Sequence, residues 1–195
     1  MSEEAQTPPT RSGFVAIIGA PNAGKSTLVN RLVGAKVSIV THKVQTTRAL
    51  VRGIATRDRT QIVFVDTPGI FRPKRRLDQA MVTTAWGGAQ DADLVLVLID
   101  AQRGLKGEAA SILDKLAEVR QPKALVLNKV DAVKRDTLLA LAAQANGKVA
   151  FERTFMVSAL TGSGCDDLLD WLAGTLPQGP WFYPEDQISD LPMRQ

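Results

Sequence analysis

Residues 19–26 read Gly-Ala-Pro-Asn-Ala-Gly-Lys-Ser, the pattern G-x-x-x-x-G-K-S. The apolar run Phe14–Ile18 before it predicts a strand, and Lys25–Val33 after it predicts a helix. Glycines let backbone N–H groups converge on phosphate oxygens, and the start of the helix adds its positive end. The sequence therefore predicts a phosphate-binding loop, in which Lys25 reaches the β- and γ-phosphates and Ser26 ligates Mg²⁺. The alternative is a glycine-rich turn with an incidental lysine.

Predicted strands and helices alternate along the rest of the chain. This pattern indicates an α/β fold with three layers, in which a mostly parallel six-stranded sheet is covered on both faces. A polar turn, Arg57–Thr60, joins two successive strands and predicts one antiparallel strand at the edge of the sheet. We predict strands at 14–18, 51–56, 61–65, 94–99, 124–127 and 154–157, and helices at 25–33, 77–90, 108–120, 136–145 and 165–176.

Composition bounds the number of domains and the class of protein. The chain has 195 residues, 45% of them hydrophobic and 23% charged, which suits one globular domain. Cys165 is the single cysteine, so no disulfide can form within the chain. The N-terminus has no apolar segment of the kind found in signal peptides, and the run Leu94–Ile99 is too short to cross a bilayer. The sequence thus predicts a cytoplasmic protein without a transmembrane segment.

Both ends are expected to lie outside the domain. Residues 1–12 are polar and are predicted to be a disordered tail, the domain spans 13–177, and residues 178–195 are predicted to be a linker rich in proline. The aromatic residues Trp181, Phe182 and Tyr183 need cover, either from the flank of this domain or from a further domain.

Asp66-Thr67-Pro68-Gly69 follows the predicted strand 61–65 directly. An acid at the end of a strand beside the phosphate loop can hold Mg²⁺ through a water, and the Gly69 N–H can sense a γ-phosphate. By itself, D-x-x-G is also a common turn.

Another motif follows a buried strand and predicts which base the nucleotide carries: Asn128-Lys129-Val130-Asp131. A carboxylate at Asp131 can accept from both N1–H and the exocyclic amine of guanine, a pair of donors that adenine lacks. Asn128 would brace the surrounding loops, and the stem of Lys129 would lie over the purine ring. A solvated loop is the alternative.

Two weaker segments complete the predicted site. Ser158-Ala159-Leu160 follows the last strand, where the Ala159 N–H could reach guanine O6. In Gln45–Arg48, Thr47 is preferred over Thr46 as the residue that completes the Mg²⁺ shell. The predicted metal ligands are Ser26, Thr47 and Asp66. The predicted nucleotide contacts are Gly19, Ala20, Pro21, Asn22, Ala23, Gly24, Lys25, Ser26, Thr27, Asp66, Thr67, Pro68, Gly69, Asn128, Lys129, Asp131, Ser158, Ala159 and Leu160.

The ordered set of motifs resembles that of the translation-factor-like small GTPases. Residues 43–48, 66–77 and 183–190 narrow the resemblance to the bacterial Era-type GTPases, over the chain from Gly13 onward. The resemblance implies a switch that hydrolyses GTP and assists small ribosomal subunit assembly and rRNA maturation, with a KH-type domain that carries most of the RNA recognition. No GXXG loop of that module follows in this sequence. A GTPase coupled to tRNA modification and a module that binds nucleotide without hydrolysis stay open as alternatives. The resemblance also implies a monomer, and it leaves weak peripheral contact at the inner membrane open.

The candidate catalytic residues are Lys25, Thr47, Gly69 and Asn22. Ile70 and Asn22 bear most directly on the rate of hydrolysis. Ile70 stands where Ras-like GTPases carry a glutamine that orients water, so turnover should be slow. Asn22 resembles the residue that binds K⁺ in cation-activated relatives, where the ion could replace the charge of an arginine finger. Alternatively, Asn22 closes the loop with side-chain hydrogen bonds.

Overall fold

The computed structural model describes residues 9–20, 22–34, 50–66 and 92–183, and strands and helices alternate within them. The strands are β1 (Arg11–Gly19), β2 (Leu50–Arg57), β3 (Thr60–Asp66), β4 (Leu94–Asp100), β5 (Lys123–Asn128) and β6 (Arg153–Met156). The helices are α1 (Lys25–Val33), α2 (Glu108–Leu116), α3 (Arg135–Lys148) and α4 (Cys165–Thr175), with a 3₁₀ turn at Val130–Ala132. The predicted helix 77–90 lies outside the described residues.

One six-stranded sheet has the order β2-β3-β1-β4-β5-β6. All neighbouring strands are parallel except β2 and β3, which are antiparallel and place β2 at the edge. The predicted sheet and its antiparallel edge strand are thereby confirmed. Because Gly19 pairs with Leu98 and Asp100 with Asn128, the loops that follow β1, β4 and β5 open at the same end of the sheet.

Helices cover both faces of the sheet, so that all seven residues of β4 are buried. Val95, Val97 and Ile99 pack in one apolar cluster with α2 and α3. The intervening residues Leu94, Leu96 and Leu98 pack in a second cluster with α1 and α4. Because successive side chains of a strand point to opposite faces, one uninterrupted apolar run serves both cores. The predicted three layers are present.

The ends of the domain differ from the predicted boundaries. β1 begins at Arg11, so Arg11 and Ser12 belong to the strand and not to a disordered tail. The reason is tertiary: the Ser12 N–H donates to the Pro177 carbonyl (3.2 Å), and its hydroxyl donates to the Pro180 carbonyl (2.7 Å). A polar start of a strand is thus satisfied by residues far along the sequence.

Residues 178–183, which we call the C-terminal strap, pack on the domain and not beside it. Gln61 is fully buried in β3, and its amide nitrogen donates to the Tyr183 carbonyl (2.7 Å). Its amide oxygen accepts from the N–H groups of Phe182 (3.0 Å) and Tyr183 (3.1 Å). Tyr183 is buried, and the ring of Phe182 lies 4.7 Å from that of Phe14. The flank of this domain therefore covers Tyr183, whereas Phe182 stays half exposed.

Candidate nucleotide site

The loop between β1 and α1 leaves the start of α1 open to an anion. Gly24, the residue before the helix, adopts φ 99°, and no side chain caps the first turn. The first turns of α2, α3 and α4 each contain an acidic residue, whereas that of α1 contains none. Acidic residues neutralise the positive end of a helix, so α1 alone among the described α-helices keeps that charge for a ligand.

Glycine is required at both ends of this loop. A Cβ at Gly24 would collide with Nδ2 of Asn128, and the positive φ strains any other residue there. A Cβ at Gly19 would lie 2.9 Å from the Leu98 carbonyl oxygen on the neighbouring strand β4. The pattern G-x-x-x-x-G is thus imposed by close packing of the loop against β4 and β5, which holds its backbone in place.

Asn128 joins the phosphate loop to the loop after β6. This residue is 2% exposed; its Nδ2 donates to the Ala23 carbonyl (2.9 Å), and its Oδ1 accepts from the Ala159 N–H (3.0 Å). The first bond spans 105 residues of sequence and the second spans 31. Asn128 therefore braces the loops as predicted from its motif.

Lys129 forms a second tie across the site. Its ammonium donates to Oδ2 of Asp100 (2.9 Å) and to the Asn22 carbonyl (3.3 Å). Lys129 and Asn22 both adopt positive φ, 67° in each case. Sequence reasoning missed Asp100, although an acid at the end of the wholly buried strand β4 was a signal, because a buried charge needs a partner.

The local charges keep Asp100 ionised. Burial by itself raises the pKa of Asp100, but hydrogen bonds from Lys129 and from the Gln102 N–H, with the charge of the Lys129 ammonium, outweigh it. The pKa of Asp100 is consequently lowered from its ordinary value. A carboxylate that stays charged holds the Lys129 ammonium at the edge of the site.

The loops after β5 (residues 128–131) and after β6 (residues 158–160), which we call the guanine loops, lie at the same end of the sheet. Asp131 is exposed within the 3₁₀ turn, Ser158 is buried, and Leu160 is exposed. The Ala159 N–H, which the sequence directs to guanine O6, donates here to Asn128. A contact with O6 would require this bond to be shared or exchanged, so the role of Ala159 stays a prediction.

Several predicted site residues lie outside the described part of the chain: Pro21, Thr47, Thr67, Pro68, Gly69 and Ile70. Of the three predicted Mg²⁺ ligands, Ser26 lies in the first turn of α1, Thr47 lies outside, and Asp66 is described only as the end of β3. Within the described residues, no helix combines the length and the apolar character needed to cross a membrane.

Comparison with known proteins gives consistent matches. Residues 14–129 match the family model described as 50S ribosome-binding GTPase. GTPase Era of Mesorhizobium japonicum is 79% identical over 193 residues, which are 99% of this chain and 62% of that protein. The chain therefore spans about three fifths of the length of the curated relatives it matches.

Two solved structures of Era share this fold. A variant of Aquifex aeolicus Era bound to GDP and AlF₄⁻ has a TM-score of 0.77 and 38% identity, covering 95% of this chain and 64% of that one. Era in complex with MgGDPNP and a segment of 16S ribosomal RNA has a TM-score of 0.78 and 38% identity, covering 95% and 63%. The family match spans more than half of the sequence and includes the phosphate loop and the start of the guanine loop after β5. The chain belongs to the 50S ribosome-binding GTPase family and is a homologue of the Era proteins.

Proposed function

We propose that this chain binds GTP and GDP with Mg²⁺ and hydrolyses GTP to GDP and phosphate as a molecular switch. The observation that carries the proposal is the buried Asn128, which joins a phosphate loop to a guanine loop through two hydrogen bonds. A site that ties these two loops together suits a ligand with phosphates at one end and a guanine at the other. Adenine would leave Asp131 without its pair of donors.

Each motif has a stated part in this proposal. Lys25 and the N–H groups of the α1 first turn bind the β- and γ-phosphates, which makes the loop 19–27 the anchor of the nucleotide. Ser26, Thr47 and Asp66 hold Mg²⁺, whose charge offsets the negative charge that develops in the transition state. Asp66–Gly69 and the segment around Thr47 sense the γ-phosphate. Asp131 and the Ala159 N–H read the base.

Hydrolysis is the first test. We expect phosphate release from GTP in Mg²⁺ at a rate on the order of 10⁻⁴ to 10⁻² per second, because Ile70 cannot orient water. Lys25→Ala should lower kcat/KM by about 100-fold through loss of a charge on the phosphates. Lys148→Ala, at the exposed end of α3, is the matched control and should be unchanged. Release from wild type no faster than from Lys25→Ala would favour the alternative of a module that binds without hydrolysis.

Potassium is a second element of the proposal. Asn22 lies in a left-handed turn of the phosphate loop, and its carbonyl is held by Lys129, which leaves its side chain as the candidate ligand for K⁺. A cation beside the phosphates would supply positive charge in the transition state. The same assay in KCl should then be faster than in NaCl, and Asn22→Ala should remove the difference. Equal rates in both salts would discard the cation.

We also propose a role in small ribosomal subunit assembly and rRNA maturation, as a monomer in the cytoplasm. The family description names the 50S particle, whereas the Era structure contains 16S rRNA, which belongs to the small subunit. The rRNA segment is the more specific of the two and favours the small subunit. The proposal assigns most RNA recognition to a KH-type domain in the part of the relatives that this chain does not span. Weak peripheral contact with the inner membrane is compatible with this role but is not needed for it. A role in tRNA modification is the alternative.

Sedimentation with purified small and large subunits tests this role. The chain loaded with a non-hydrolysable GTP analogue should co-sediment with small subunits more than the chain loaded with GDP, if the regions that sense the γ-phosphate carry part of the recognition. Binding to large subunits alone would contradict the small-subunit proposal. Binding to neither, in either nucleotide state, would leave the recognition wholly to the remaining part of the relatives.

A further inference from the structure

Arg31, in the last turn of α1, reaches across to the guanine loop after β6. Its Nε donates to the Ala159 carbonyl (3.1 Å), and its Nη2 donates to the Leu160 carbonyl. Gly162 closes over the same guanidinium, since a Cβ there would lie 3.6 Å from both Cδ and Nη1 of Arg31. Arg31 belongs to none of the sequence motifs of the site, and it is 128 residues from Ala159 along the chain.

The backbone of Ala159 is held from two sides. Asn128 accepts from its N–H, and Arg31 donates to its carbonyl. A guanidinium offers a planar, rigid set of donors, so two bonds to successive carbonyls fix the direction of that short segment. Bonds from a charged donor are also stronger than those between neutral groups. The direction in which the Ala159 N–H points is therefore set by Asn128 and Arg31 together.

Resting on the proposed function, we propose that Arg31 is a positioning residue for guanine recognition: it holds the Ala159 carbonyl so that the Ala159 N–H, which donates to Asn128, is shared with O6 of the bound base. α1 begins at the phosphate loop and carries Arg31 in its last turn, so one helix connects the phosphate end of the site to its base end. Along the helix axis, Arg31 lies about 9 Å from Lys25. The position of the bound phosphates thereby fixes where O6 meets its donor.

A simpler role predicts a different result. A basic residue in the last turn stabilises a helix through its dipole, and Arg31 would then matter only for the stability of α1. In that case the loss of Arg31 lowers the affinity for every guanine nucleotide by the same factor. A residue that aims one N–H at O6 acts on the affinity for nucleotides that carry O6 and much less on the affinity for those that lack it.

The test compares three ligands by titration. GDP carries O6; inosine diphosphate keeps O6 but lacks the 2-amino group; 6-thioguanosine diphosphate replaces O6 by sulfur, a weaker acceptor. Arg31→Met should lower the affinity for GDP and for inosine diphosphate alike by about 5- to 10-fold, which corresponds to one hydrogen bond. The affinity for 6-thioguanosine diphosphate should fall by less than about twofold. Arg31→Lys, which can reach one carbonyl, should fall in between.

Arg57→Met is the matched control. Arg57, in β2, also makes two hydrogen bonds to a distant segment, to Asp170 (2.7 Å) and Asp166 (3.3 Å), but these partners are side chains of α4 and not carbonyls of the loop after β6. It should leave all three affinities unchanged. Equal weakening of the three ligands in Arg31→Met, or no weakening, overturns the inference while the proposed function stands. A wild-type chain that fails to bind GDP overturns the proposed function, and the inference with it.

Discussion

Asn128→Ala should lower the affinity for GDP by about 2 to 4 kcal/mol, or roughly 30- to 1000-fold. The side chain lies between two buried residues, Ala23 and Ala159, each 2% exposed. Alanine would leave the Ala23 carbonyl and the Ala159 N–H without their partner, and each unsatisfied group costs on the order of 1–3 kcal/mol. The loss should appear in binding because the two loops would then no longer be held in register for one ligand.

Titration with GDP, well below the melting temperature of the variant, separates this effect from unfolding. Asn146→Ala is the control, since Asn146 also donates twice, to the Ala142 carbonyl (2.8 Å) and to the Thr154 hydroxyl (3.0 Å). It is exposed, so water can replace its bonds, and its loss should change GDP affinity by less than about twofold. If Asn128→Ala bound GDP within threefold of wild type, the two loops would not depend on this brace.

The second large effect concerns stability: Gln61→Leu should lower the free energy of unfolding by about 2 to 4 kcal/mol. The substitution keeps the size of the side chain but removes one donor and one acceptor that serve three backbone groups of the strap. Urea unfolding provides the measurement. Gln144→Leu makes the same chemical change on the exposed side of α3 and should stay within about 0.5 kcal/mol of wild type.

Shortening the chain shows whether the strap is the cause. A chain that ends at Pro177 lacks the strap, and in it Gln61→Leu should cost little or nothing, because the partners are gone. A chain that ends at Tyr183 keeps the strap and should lose the same 2 to 4 kcal/mol, roughly, on Gln61→Leu. Equal costs in both shortened chains would mean that Gln61 acts within the sheet and not through the strap.

Local patterns predicted the sheet, the bounds of α1 and the bracing role of Asn128, since each depends on neighbours in sequence or on a motif of fixed spacing. Arg31, Asp100 and the strap depend on partners that only the tertiary fold brings near. Two signals were nevertheless present. Gln61 begins the run Gln61–Val65, which is otherwise apolar, and Asp100 ends the buried β4. A polar side chain in such a place indicates that it has a hydrogen-bond partner, but the sequence does not identify the partner.

The two ends of the domain also lie side by side. The Gly179 N–H donates to the Thr10 carbonyl (3.0 Å), and the Thr10 hydroxyl donates to the Gly179 carbonyl (2.8 Å). Adjacent ends let a domain be inserted into another chain, or be cut and rejoined at a new point, without distortion of its sheet. They also mean that a mechanical load on the two ends first breaks the few hydrogen bonds of the strap. The phosphate and guanine loops, at the opposite pole of the parallel strands, then stay unloaded.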